Sequence, residues 1–112
     1  MIEIWHNPRC SKSRQTLTLI EAAGVDFKTR LYLQDAPSAD EIKAALSKLG
    51  VTAKDITRKG EKVFKELNLK HADDEALLAA MAEHPILIER PIVIKGNTAV
   101  MSRPPENVNA LL

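Results

Sequence analysis

The chain holds one cysteine, almost no net charge, no long apolar run and no glycine-rich phosphate loop, and each absence removes a class of function. A lone cysteine closes no internal disulfide, and nothing at the N-terminus reads as a charged region followed by an apolar secretory run, so a cytoplasmic location is expected. Sixteen basic residues against fifteen acidic ones leave a net charge of +1, too little for the basic field that captures nucleic acid. The longest apolar stretch, Ala76 to Ala82, is far shorter than the roughly 18 residues that a membrane-spanning helix needs. His71 and His84 lie apart without ligand-like neighbours and no Cys/His cluster has zinc spacing, so neither a metal nor a bound cofactor is expected. With 45% hydrophobic residues and no linker, repeat or low-complexity tract, residues 1–112 are read as one domain, monomeric by default.

What is present is concentrated around that cysteine. Ile2 and Ile4 alternate with Glu3 as in a strand, and Leu17, Leu19, Ile20 and Ala23 give a helical stripe that Gly24 closes, so Cys10 falls where a strand over 2–5 passes into a helix over 11–23. Unpaired N–H groups at a helix start carry partial positive charge and favour thiolate over thiol. His6, Arg9, Lys12 and Arg14 are expected to add to the effect. Such settings bring a cysteine from near 8.5 to about 3.5–7.5. A buried, inert cysteine is the alternative, but those are not normally ringed by cations.

Further along, Phe27, Thr29, Leu31 and Leu33 alternate with Lys28 and Arg30, a second strand within 26–33, parallel to the first across a right-handed crossover. Ser38 and Glu41 form a capping box that opens a helix with Ile42, Ala45, Leu46 and Leu49 on its apolar face and Gly50 at its end. Short helices follow over 53–58, 61–67 and 73–83, with Pro85 as the stop. Residues 91–94 and 98–101 read as a hairpin turning at Gly96-Asn97, and Pro104-Pro105-Glu106 opens a last short helix. The order βαβ, helices, ββα predicts an α/β, thioredoxin-like fold: a mixed four-stranded sheet with flanking helices and a helical insertion between strands 2 and 3. In that fold Arg90-Pro91 stands where a cis proline faces the cysteine loop.

Arg58, Arg90 and Arg103 stand at element boundaries. Each alone is ordinarily a solvated charge; together with a thiol they suit a tetrahedral oxyanion, because guanidinium groups make paired, charge-assisted bonds. Ser13 occupies the second position of a C-x-x-C pair, which argues against a self-contained dithiol cycle.

The segments His6-Asn7-Pro8-Arg9-Cys10 with Ser13-Arg14, Leu31-Tyr32-Leu33, Arg58-Lys59, the run from His84 to Val93 and Ser102-Arg103-Pro104 resemble, in order over nearly the whole chain, the glutaredoxin-dependent arsenate reductases. The resemblance implies that Cys10 attacks arsenate, that His6 matches the histidine near the active thiol, and that Arg58, Arg90 and Arg103 hold the oxyanion. It also implies glutathione as co-substrate and glutaredoxin as partner, since an enzyme without a resolving thiol draws its electrons from outside. The phosphatase-like arsenate reductases do not fit, because Thr16 stands where they carry arginine and no further cysteine exists. Two other readings are an adaptor resembling Spx that binds RNA polymerase, which Ser13 disfavours, and a glutathione-dependent thiol oxidoreductase, which has no need of Arg58.

Overall fold

Alternation along the first strand sends Ile2 and Ile4 to one face and Glu3 and Trp5 to the other, and the chain builds outward from that division. The computed structural model describes residues 1–112, whose contacts gather into two compact units, Met1–Asp35 with Arg90–Leu112 and Ala36–Glu89. The first unit contains the whole sheet: β1 (Ile2–Trp5), β2 (Phe27–Arg30), β3 (Ile92–Lys95) and β4 (Thr98–Met101), in the order β2-β1-β3-β4. β1 runs parallel to β2 and antiparallel to β3, and β3 to β4 is antiparallel, giving the mixed thioredoxin-like sheet that the sequence predicts. α1 (Ser11–Ala22) and a 3-10 segment over Pro105–Leu111 supply the partner for the Ile2/Ile4 face. Ile2, Ile4, Ile20, Val93, Val108 and Leu111 form one buried cluster, with Leu17, Leu19, Phe27 and Val100 packed against it.

Ile4 is fully buried at the centre of this cluster. Ile4→Ala leaves a cavity there and lowers stability by about 2–5 kcal/mol. Urea unfolding should show this as a shifted midpoint at unchanged slope; a change below about 1 kcal/mol would place Ile4 outside the core.

The second unit is helical. α2 (Ala39–Leu49) begins with the Ser38/Glu41 capping box, both bonds at 3.1 Å, and ends at Gly50 in the left-handed conformation, φ 72°. Ile42, Ala45 and Leu46 are its buried face, and α5 (Asp74–Glu83), with Leu77, Ala80 and Met81 buried, packs against it. Between them lie α3 (Ala53–Ile56) and α4 (Lys62–Glu66). No helix is long and apolar enough to cross a membrane.

Three expectations require correction. β2 ends at Arg30, because the carbonyl of Leu31 is taken up by the N–H groups of Gln34 (3.0 Å) and Asp35 (2.8 Å), which turns the chain. Leu31 and Leu33 are therefore exposed and Tyr32 is buried, the reverse of the strand alternation. α3 is shorter than 53–58, because Thr57 leaves the helix to pair with Ile88 in a single antiparallel bridge. On α1 the buried residues are Ser13, Thr16 and Ile20, while Ala23 is exposed.

Candidate active site

Cys10 is the N-cap residue of α1, extended at φ −95°, ψ 122°, and its carbonyl accepts the Arg14 N–H at 3.0 Å, the first bond of the helix. The loop that delivers it is fixed by Asn7, whose carbonyl accepts the Cys10 N–H (3.0 Å) and whose Oδ1 accepts the Arg9 N–H (3.0 Å). The thiol makes no capping hydrogen bond, yet the backbone N–H groups of Ser13 and Lys12 point at it.

The sheet brings two arginines from the far end of the chain to the same sulfur. Residues 90 and 103 flank the β3–β4 hairpin, and β3 lies beside β1, so both arginines arrive at the end of the sheet from which Cys10 departs. Arg103 Nη1 is 4.0 Å from Cys10 Sγ and also donates to the Arg90 carbonyl at 3.2 Å. Arg90 directs its guanidinium at the thiol. The peptide bonds Arg90–Pro91 and Arg103–Pro104 are both cis; the second is not foreseen from the sequence. Burial by itself would raise the thiol, but the Ser13 N–H, the Arg90 guanidinium and the Lys12 N–H together outweigh it and hold Cys10 below its ordinary value. The cationic help thus comes from Arg90, remote in sequence, while the Arg14 guanidinium is turned to the Pro8 carbonyl at 2.9 Å.

His6 is buried and its Nδ1 lies 2.6 Å from Ser13 Oγ, which also accepts the Asn7 N–H at 3.0 Å. After accepting the Asn7 N–H, the Ser13 hydroxyl still has its own proton to offer, and donating it to Nδ1 suits a neutral ring that carries its proton on Nε2. Burial, then the Arg14 charge, lower the histidine from its usual value, in keeping with that bond pattern. Burial and Arg14 thus work against a charged His6 beside the thiol, where the sequence reading expects it to add positive charge. Ser13, read from sequence only as the absence of a second cysteine, is the residue that links His6 to the loop, and its place on the inner face of α1 is the signal that could have found it.

Ser13→Ala strips the hydroxyl from a fully buried position and leaves the Asn7 N–H and His6 Nδ1 without it. A loss of about 1–3 kcal/mol is expected by denaturant unfolding. In the parent protein the lowered native value of His6 makes stability complete above the unfolded-state histidine value and lost as pH falls through the native one.

Arg58 belongs to the other unit, Ala36–Glu89. There its Nη1 donates to Glu89 Oε1 at 2.6 Å and its Nε lies 3.7 Å from Glu61 Oε2. Beside the Cys10 loop, His6, Asn7, Pro8 and Arg9 with Leu31, Leu33 and Gln34 line a cavity of about 210 Å³. The early end of β2 makes this cavity, since it turns the two leucines outward. No group of three or more His, Cys, Asp or Glu side chains is placed to hold a metal ion.

Residues 5–111 match the ArsC family. The chain is 44% identical to an arsenate reductase of Neisseria meningitidis serogroup A, covering 99% of this chain and 97% of that protein. It is likewise 44% identical to an arsenate reductase of Haemophilus influenzae, over 97% of each. Among solved structures, an arsenate reductase from Vibrio cholerae superposes with a TM-score of 0.94 at 46% identity, covering 99% of this chain and 97% of that one.

Proposed function

The chain belongs to the ArsC family, and from that premise we propose that it reduces arsenate to arsenite through Cys10, with glutathione and glutaredoxin supplying the electrons. The observation that carries the reading is the Cys10 sulfur at a helix start with both the Arg90 and the Arg103 guanidinium groups against it. The thiolate attacks arsenic and forms a sulfur–arsenic bond as one arsenate oxygen leaves as water. Glutathione then bonds to arsenic as a second oxygen leaves as water, and a glutaredoxin thiol takes the glutathione sulfur away as a mixed disulfide, leaving arsenic(III) on Cys10. Overall, two external thiols become a disulfide, arsenic takes their two electrons, and water cleaves the Cys10 sulfur–arsenic bond to release arsenite and the free thiol. External thiols are required because the chain has no second cysteine to resolve the adduct.

Each residue has a defined part. Arg90 and Arg103 hold the oxyanion against the sulfur by charge-assisted bonds, with Arg58 as the third arginine of the set. His6, tied to Ser13, holds the loop ahead of Cys10. The cavity beside that loop, with the Arg9 side chain at its edge, is where the thiol co-substrate approaches.

The test is arsenate-dependent NADPH oxidation in a mixture of glutathione, glutaredoxin and glutathione reductase. Turnover that disappears when glutaredoxin or glutathione is left out establishes the route. Turnover that persists without either would show a different reductant, and none in the full mixture would remove arsenate as substrate.

A further inference from the structure

Two carboxylates, those of Glu89 and Glu61, stand against the single guanidinium of Arg58. Thr57 and Ile88 pair in an antiparallel bridge, with the Arg58 N–H donating to the Leu87 carbonyl at 2.7 Å and the Glu89 N–H to the Ile56 carbonyl at 2.8 Å. Thr57 and Ile88 are both buried. Alternation sends the side chains of Arg58 and Glu89 to the opposite face of the bridge, as diagonal neighbours that long side chains can span. They meet there at 2.6 Å, and Glu61 stands 3.7 Å from the same guanidinium. All three side chains are mostly buried, at 23%, 29% and 24% exposure for Arg58, Glu89 and Glu61, so solvent screens the cluster only in part.

We infer that Glu89 is the resident counter-ion of Arg58 and that an incoming oxyanion binds this arginine by displacing its carboxylate. The inference rests on the reading of Arg58 as an oxyanion ligand. A guanidinium offers two edges for bidentate recognition, one through Nε and one through Nη1. Glu89 occupies the Nη1 edge with a hydrogen bond, while Glu61 faces Nε from beyond hydrogen-bond distance. An oxyanion arriving at Arg58 thus meets one edge in use and two like charges nearby, and exchange with Glu89 removes both obstacles at the Nη1 edge. Glu89 is a positioning residue in this scheme: it parks the guanidinium in a fixed place and sets how strongly an anion must bind to release it.

Glu89→Gln separates these functions, since its amide oxygen still accepts from Nη1 but the charge is gone. The probe is inorganic phosphate, read as protection of Cys10 from iodoacetamide, which needs no turnover. The expected result is a half-protecting phosphate concentration at least threefold lower than in the parent protein. The KM for arsenate should fall in proportion at a kcat within twofold. Arg58→Ala should raise both concentrations, and Arg58→Ala combined with Glu89→Gln should match Arg58→Ala alone. Glu61→Gln, in case the first variant folds poorly, should act in the same direction by a smaller factor. An unchanged or raised phosphate requirement in Glu89→Gln, with Arg58→Ala still weakening protection, overturns the exchange and leaves Arg58 as an anion ligand. No effect of Arg58→Ala overturns both.

Discussion

Cys10→Ser should abolish arsenate-dependent NADPH oxidation, with a loss on the order of 1,000-fold or more, as expected when the sole nucleophile of a covalent route is removed. The site holds the thiol below its ordinary value; the same N–H dipoles and the Arg90 charge acting on a serine hydroxyl leave it protonated, because its ionisation lies far higher. An oxygen–arsenic bond, had one formed, would also lack the exchange with external thiols that releases the product. The variant is a clean one, since serine is among the preferred N-cap residues and Cys10 occupies that position in α1. Its thermal unfolding should equal or exceed that of the parent. Retained turnover in a folded Cys10→Ser protein would mean that the chemistry does not pass through this sulfur.

Arg90→Ala should lower kcat/KM for arsenate by about 10- to 100-fold, the value of a charge-assisted hydrogen bond of roughly 1.5–3 kcal/mol. It should also shift the pH profile. Of the groups acting on Cys10, burial raises the thiol, and the Ser13 N–H, Arg90 and the Lys12 N–H lower it. Removing Arg90 leaves burial less opposed, so the thiol titrates higher and the rising acid limb of Cys10 alkylation moves to higher pH. Iodoacetamide rates across pH, without arsenate, read that limb directly. Arg90→Lys keeps a charge but not the planar fork, so it should recover much of the pH limb and less of the arsenate affinity. An alkylation profile unchanged in Arg90→Ala would show that the helix start alone activates the thiol.

Local signals in the chain already specified a good deal. The alternation of Ile2, Glu3 and Ile4, the stop at Gly24, the Ser38/Glu41 capping box and the Gly96-Asn97 turn each act over a few residues, and the corresponding elements form where those signals stand. They place Cys10 at the join of β1 and α1, where the Ser13 and Lys12 N–H groups act on its thiol. The β2 reading failed past Arg30 because alternation gives no warning of where a carbonyl will be captured by a turn, as Leu31 is by Gln34 and Asp35. Ser13 was read only as the missing second cysteine of a C-x-x-C pair. The partners of its hydroxyl, His6 and the Asn7 N–H, are not legible there because they meet it only when the loop folds onto α1.

By itself, then, the sequence determined the elements and the single thiol at a helix start, because capping, turn geometry and hydrophobic periodicity are short-range forces between residues already close along the chain. Tertiary structure decided which charges act on that thiol and which do not. The sheet order carries Arg90 and Arg103 to Cys10 across 80 and more residues, while Arg14 turns to the Pro8 carbonyl and burial together with the Arg14 charge lowers His6. The Thr57–Ile88 bridge sets Glu89 on Arg58. Electrostatic interaction depends on distance and burial in space, and those are fixed only when the strands pair and the core closes.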